Sequence, residues 1–94
     1  MDKETFYKLS GEIIRYYRRR KELPQKYIAS ALGISQPTYS RIEAGTTKYD
    51  AYLLRQISEI LTLTSEETAE LLLTKPNPQL VELLQRNTTL RHKI

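Results

Sequence analysis

The 94-residue chain has no cysteine, a single histidine, His92, and only three glycines. Without cysteine it can form neither disulfides nor thiolate metal sites, which fits a reducing compartment. His92 falls in a basic C-terminal segment that we expect to be loose, and the chain has no glycine-rich phosphate loop. Glu66, Glu67 and Glu70 lie together, but acids in the first turns of a helix favour the helix dipole without any catalytic purpose. We therefore expect no enzyme activity, no cofactor and no metal site.

Long apolar runs are also missing. No stretch approaches the roughly 20 apolar residues of a membrane span, and the N-terminus MDKETF is too polar for a signal peptide. The length leaves room for one small domain with a modest core. We expect a soluble, cytoplasmic protein without a membrane partner.

The centre of the chain is the stretch from Gln25 to Gly45, QKYIASALGISQPTYSRIEAG, which holds two short helical patterns separated by Gly33. In the first pattern Ile28, Ala29 and Leu32 recur at helical spacing. Gly33 is expected to end that helix, because glycine adopts the left-handed C-cap conformation without a steric penalty. The pattern predicts a helix, a glycine turn and a second helix.

The second helix is predicted over about residues 35–43. Ser35 is a good N-cap, and Pro37 is tolerated in the first turn because first-turn amides have no intrahelical partner. Since Pro37 has no amide hydrogen, the Ser35 hydroxyl is expected to bond the amide of Thr38 instead.

The two faces of this second helix differ. Tyr39 and Ile42 point inward, with the Tyr39 hydroxyl expected at the edge of the core. The outer face is small, polar and basic, and it consists of Gln36, Pro37, Ser40 and Arg41.

With these residues in this order, the stretch from Gly11 to about Leu63 resembles the DNA-binding domain of the lambda-repressor and Cro-like helix-turn-helix regulators, the XRE-type family. The residues that carry the resemblance are Gly11, Ile14, Tyr17, Arg18, Leu23, Gln25, Ala29, Leu32, Gly33, Ile34, Ser35, Arg41, Ile42, Glu43, Gly45, Leu54, Ile57 and Leu61. The resemblance implies an all-α, lambda-repressor-like five-helix DNA-binding domain. To this the apolar pattern adds a short C-terminal helix.

The resemblance also implies roles for single residues. Gln36 and Arg41 stand where relatives read bases in the major groove, and these residue types can bond adenine and guanine in a bidentate way. Pro37 can offer only van der Waals contact to a base. Arg18 is expected to pair with Glu43 and so to tie helix 1 to the end of the recognition helix. The residues expected at DNA phosphates are Gln25, Lys26, Thr38, Ser40, Thr46, Thr47 and Lys48.

Some positions depart from the family pattern. Pro24 stands where relatives usually carry a serine, threonine or asparagine cap, and a lost cap costs about 1 kcal/mol. In relatives the glutamine that matches Gln25 donates to a phosphate and braces the first glutamine of the recognition helix, here Gln36. Tyr49 replaces a frequent proline, and Arg55 replaces a frequent leucine.

Four segments are expected along the chain. Residues 1–10 form an N-terminal arm or helix extension, 11–74 the helix-turn-helix domain, 75–87 the C-terminal helix and 88–94 a flexible tail. In the first segment, Phe6, Leu9 and Ile13 continue a helical stripe that Asp2 could cap. Either one helix runs through Gly11, or Ser10 caps a separate helix.

Two further caps are predicted after the recognition helix. Asp50 is expected to cap helix 4, over about residues 51–61. The sequence TSEE, from Thr64 to Glu67, predicts a capping box that opens helix 5, which runs through Ala69, Leu72 and Leu73.

The positive excess lies in the first half of the chain, where the candidate DNA-binding unit also lies. Residues 1–22 hold seven Lys and Arg against four acids, residues 23–50 three against two, and residues 51–94 five against five. The formal net charge of +4 is mild, so its position is more informative than its size.

The expected function is a transcriptional regulator that binds double-stranded operator DNA as a homodimer. The C-terminal helix carries an apolar stripe of Leu80, Val81, Leu83 and Leu84 and is too short to be stable alone, so it must pack on its own domain or on a second chain. The alternative is therefore a protein-interaction adaptor or antitoxin whose C-terminal helix binds a partner protein. Because Gln36 and Arg41 are present, we favour DNA reading.

Overall fold

The computed structural model describes residues 2–73, and this part of the chain contains five α-helices and no strand. The helices are α1 Lys3–Arg20, α2 Gln25–Leu32, α3 Gln36–Ala44, α4 Ala51–Ile60 and α5 Ser65–Leu73. The all-α, five-helix prediction is confirmed. The segments predicted over 75–87 and 88–94 lie outside the described residues. None of the described helices is both long enough and apolar enough to cross a bilayer.

Helix α1 is continuous from its cap to Arg20, so the first of the two alternatives for Gly11 is the one found. Asp2 caps it by accepting the amide of Thr5 at 2.7 Å. Ser10 lies inside the helix, where its hydroxyl donates to the carbonyl of Phe6 at 2.7 Å. Ser10 therefore caps nothing, and residues 3–10 are the first turns of α1.

Gly11 is the point where α1 crosses the end of α3. A Cβ atom built on Gly11 would overlap the carbonyl of Glu43 and would lie 2.7 Å from the carbonyl oxygen of Ile42. The two backbones can approach this closely only because Gly11 has no side chain.

The turn between α2 and α3 follows the local chemistry of its residues. Gly33 ends α2 in the left-handed conformation, with φ of 72°, and the amide of Ile34 donates back to the carbonyl of Ala29 at 3.0 Å. The Ser35 hydroxyl accepts from the amide of Thr38 at 3.2 Å, which confirms the predicted cap. Both helices are thus bounded by the groups that the sequence indicated.

The core lies between the inner faces of all five helices. Its buried apolar residues are Ile13, Ile14, Tyr17, Ile28, Ala29, Tyr39, Ile42, Leu54, Ile57, Leu61 and Leu71. The core residue of α5 is Leu71, which is fully buried, whereas Leu72 is 41% exposed. The predicted helical pattern ran through Leu72 and Leu73 and left out Leu71, because three consecutive leucines do not show which of them faces inward.

Helices α4 and α5 begin with the predicted caps. Asp50 accepts the amide of Leu53 at 3.0 Å. At the start of α5 the amide of Thr64 donates to Glu67 at 2.9 Å, and the amide of Glu67 donates to the Thr64 hydroxyl at 3.1 Å. Both predictions, the Asp50 cap and the capping box, are confirmed.

We expect Gly11→Ala to destabilise the protein by about 3 kcal/mol or more. Overpacking a core costs about 1–3 kcal/mol, and here the obstacles are backbone atoms that cannot rotate away. Urea unfolding followed by circular dichroism measures the change. In the control Gly33→Ala, the added Cβ meets no atom within 4 Å, so only left-handed strain of roughly 1 kcal/mol remains. Equal stability of Gly11→Ala and wild type would contradict the close crossing.

Candidate nucleic-acid interface

Helix α3 has one buried face and one exposed face. Tyr39, Ile42 and Glu43 are buried against α1 and α2. The residues of the opposite face, namely Gln36, Pro37, Ser40 and Arg41, are all exposed. Within residues 2–73 the side chains of Gln36 and Arg41 make no hydrogen bond or ion pair. The predicted reading face is therefore open to solvent, with its bonding groups unused.

The buried face is held by the carboxylate of Glu43. Arg18 of α1 binds it with two atoms: Nε donates to Oε2 at 2.6 Å, and Nη2 donates to Oε1 at 3.1 Å. Arg15 approaches Oε1 at 3.4 Å. The bidentate geometry is the strong form of this interaction, because both bonds are charge-assisted.

Arg18 also stabilises the turn between α1 and α2. Its third nitrogen, Nη1, donates to the carbonyl of Leu23 at 2.8 Å. The guanidinium group, although buried, is therefore satisfied on two sides.

Competing effects decide the pKa of Glu43. Burial raises the pKa, because the charged form loses solvation, and the hydrogen bonds from Arg18 and Gln25 lower it. The net result is a pKa below the ordinary value of 4.5, so the carboxylate is ionised at neutral pH.

Tyr39 lies deeper than the sequence suggested. We expected its hydroxyl at the edge of the core, but the whole residue is 0% exposed. Burial, followed by the neighbouring Glu43, raises the pKa of its hydroxyl. The buried face of α3, which includes Tyr39, packs closely on α1, because Gly11 has no side chain that would hold the two helices apart.

The structure contradicts one part of the role that the resemblance implied for Gln25, namely the bracing of Gln36. Nε2 of Gln25 donates to Oε1 of Glu43 at 3.0 Å, and no hydrogen bond joins Gln25 to Gln36 in the described residues. The bracing of Gln36 is therefore absent, because the carboxylate of Glu43 is a stronger acceptor for the amide than a second glutamine.

The other predicted phosphate residues flank α3 on two sides. Lys26 is exposed in the first turn of α2, where Pro24 provides no side-chain cap for the free amides. Thr46 and Lys48 are exposed in the loop after Gly45. Of the remaining members of this set, Thr38 and Thr47 are half-buried and Ser40 is exposed.

A support for this loop was missed at the sequence level. The Tyr7 hydroxyl donates to the carbonyl of Tyr49 at 3.2 Å, and the two rings pack edge to face with centroids 4.9 Å apart. Beside them, a Cβ on Gly45 would lie 2.5 Å from the Cα of Lys8. The N-terminal turns of α1 thus fix the end of α3 and the loop that follows it. Tyrosine at position 49, in place of the family's frequent proline, was the available signal.

The fold and this two-faced helix define a helix-turn-helix protein. A helix-turn-helix family model matches residues 14–68, which is more than half of the chain. The chain therefore belongs to the XRE-type, lambda-repressor-like helix-turn-helix family, a family of DNA-binding transcription regulators. Neither a curated protein nor a solved structure matched the chain.

We expect Glu43→Gln to destabilise the protein by about 3 kcal/mol at pH 7, because it leaves the buried Arg18 without a charged partner. The lowered pKa of Glu43 means that the wild type gains this stability above pH 4.5 and loses it as the pH falls through the folded-state pKa. The difference between variant and wild type should therefore shrink in acid. Urea unfolding at pH 7 and at pH 3 measures both effects.

The control for this experiment is Glu59→Gln. Glu59 forms an exposed pair with Arg55, at 3.4 Å, and such pairs contribute little to stability. An equal loss of stability in Glu59→Gln and Glu43→Gln would show that the buried pair contributes no more to stability than an exposed pair.

Proposed function

We propose that the protein is a sequence-specific transcriptional regulator that binds operator DNA as a dimer, with α3 in the major groove. The observation that carries this proposal is the outer face of α3. There Gln36 and Arg41 are exposed and unbonded within the described residues, while the buried face of the same helix is held by Glu43. A rigid helix with free polar groups on its outer side suits direct base reading.

The bases read follow from side-chain chemistry. Gln36 bonds N6 and N7 of an adenine, and Arg41 bonds O6 and N7 of a guanine. Pro37, between them in the first turn, contacts an apolar group such as a thymine methyl. Each bidentate contact contributes roughly 1–3 kcal/mol of discrimination against the wrong base.

Phosphate contacts on both sides of α3 orient the helix in the groove. On one side are the first-turn amides of α2 and the exposed Lys26, and on the other are Thr46, Thr47 and Lys48 of the loop. Thr38 and Ser40 complete the set. These contacts fix register without reading sequence, because phosphates are the same at every base pair.

The dimer is proposed because a single recognition helix reads only a few base pairs. The nine residues of α3 span about 14 Å, which corresponds to about four base pairs. Useful specificity therefore requires two half-sites, roughly 34 Å apart on one face of the duplex. The alternative function, an adaptor or antitoxin, depends on residues 75–87, which lie outside the described residues.

Selection of binding sites from random duplex DNA tests the proposal. We expect an enriched inverted repeat whose half-site centres are separated by about one helical turn, because two copies of α3 would enter successive major grooves. Repetition at two salt concentrations separates the electrostatic part of binding from base reading. Weak binding that is lost steeply with salt and enriches no motif would contradict sequence-specific recognition.

We expect Arg41→Ala to cost about 1–3 kcal/mol at the selected site and to relax preference at one base pair, because a bidentate contact to guanine is lost. Titration of the selected duplex and of single-substitution duplexes measures both effects. Two variants with the same change of charge serve as controls. Lys48→Ala should weaken all duplexes alike, and Arg55→Ala should leave binding unchanged, because Arg55 pairs with Glu59 on α4. Unchanged base preference in Arg41→Ala would remove Arg41 from the reading set.

A further inference from the structure

Gln25, the first residue of α2, is partly buried and its side chain is turned toward the protein. Its Nε2 lies 3.0 Å from Oε1 of Glu43. Since a carboxylate can only accept hydrogen bonds, the amide nitrogen rather than the amide oxygen must face Glu43. One of the two donor hydrogens of Gln25 is therefore already used inside the protein.

This bond connects the start of α2 with the recognition helix. Glu43 is the second-last residue of α3, and its carboxylate is at the same time bound to α1 through Arg18. The carboxylate thus receives hydrogen bonds from both of the helices that support α3. Arg18 secures α3 against α1, and Gln25 secures it against α2.

We propose that Gln25 is a positioning residue for the recognition helix and not a phosphate contact. Its bond to Glu43 sets the angle between α3 and the first turn of α2, which is the turn that meets the DNA backbone in the proposed complex. Phosphate binding at this end of α2 then comes from the backbone amides and from Lys26. The inference rests on the proposed DNA-reading function.

Base reading and phosphate binding differ in how much displacement they tolerate. A bidentate contact to a base edge requires its donors within about 0.5 Å and 10–20° of the ideal geometry. The long, flexible side chain of Lys26 can follow a phosphate through such a displacement. Loss of the Gln25 bond should therefore reduce discrimination between sequences and leave affinity for random DNA unchanged.

The test uses Gln25→Met in the full chain, because methionine keeps the length of glutamine and has no donor. Affinities for the selected site and for a random duplex are measured at a temperature where circular dichroism shows the variant folded. We expect the ratio of the two affinities to fall roughly tenfold, since a hydrogen bond to a charged group is lost, with affinity for the random duplex unchanged. The matched control is Gln56→Met on α4, where the partly buried glutamine has no hydrogen bond in the described chain.

Each of three outcomes would contradict the proposed role of Gln25. Equal losses for both duplexes in Gln25→Met would identify Gln25 as a phosphate contact. A lower melting temperature with an unchanged affinity ratio would leave Gln25 with a purely structural role. A wild-type chain that shows no preference for any site would contradict the proposed function itself, and with it this inference.

A second measurement does not depend on the folding of a variant. In the wild type, the side-chain amide resonance of Gln25 can be followed by nuclear magnetic resonance during titration with a random duplex. We expect the resonance to stay in place, because its partner is Glu43 in both states. A large shift on addition of random DNA would overturn the proposal.

Discussion

The structure depends on one buried carboxylate. Glu43 is 1% exposed, and an ion of this kind is tolerated in a protein interior only when its oxygens are fully bonded. Arg18, Arg15 and Gln25 supply the donors, from two different helices. Because these donors come from α1 and α2, bonding the carboxylate also decides where α3 lies.

Close helix packing and the buried ion pair both involve Glu43. Helix α1 contacts Glu43 in two ways. Its backbone at Gly11 lies against the carbonyl of Glu43, and its Arg18 side chain binds the carboxylate. Tyr39, on the same buried face of α3, is excluded from solvent. The inner face of α3 therefore has little freedom to rotate. As a consequence, the polar groups of the outer face are presented in a defined direction, which base reading requires.

The proposed interface divides its tasks among separate elements. In the proposed complex, the outer face of α3 reads bases, and the exposed groups at the start of α2 and in the loop after Gly45 bind phosphates on either side. The N-terminal turns of α1 contribute indirectly, because Tyr7 and Lys8 pack on that loop. This arrangement lets the phosphate contacts set the register of the helix while the buried face sets its orientation.

What the sequence determined by itself is local. The Gly33 turn and the caps at Asp2, Ser35, Asp50 and Thr64 could all be predicted, because a cap bonds an amide two or three residues away and so depends on nearby residue types alone. The resemblance also predicted that Arg18 pairs with Glu43. In the structure, Nε of Arg18 lies 2.6 Å from Oε2 of Glu43.

Only the tertiary structure decided which distant groups meet. It assigned Gln25 to Glu43 rather than to Gln36, placed Leu71 in the core and joined Tyr7 to Tyr49. Each of these depends on how closely the helices cross and on their rotation about their own axes. The residue pattern predicts which face of a helix is buried. Which residue of that face makes a given contact is decided by the packing of side chains from the neighbouring helices.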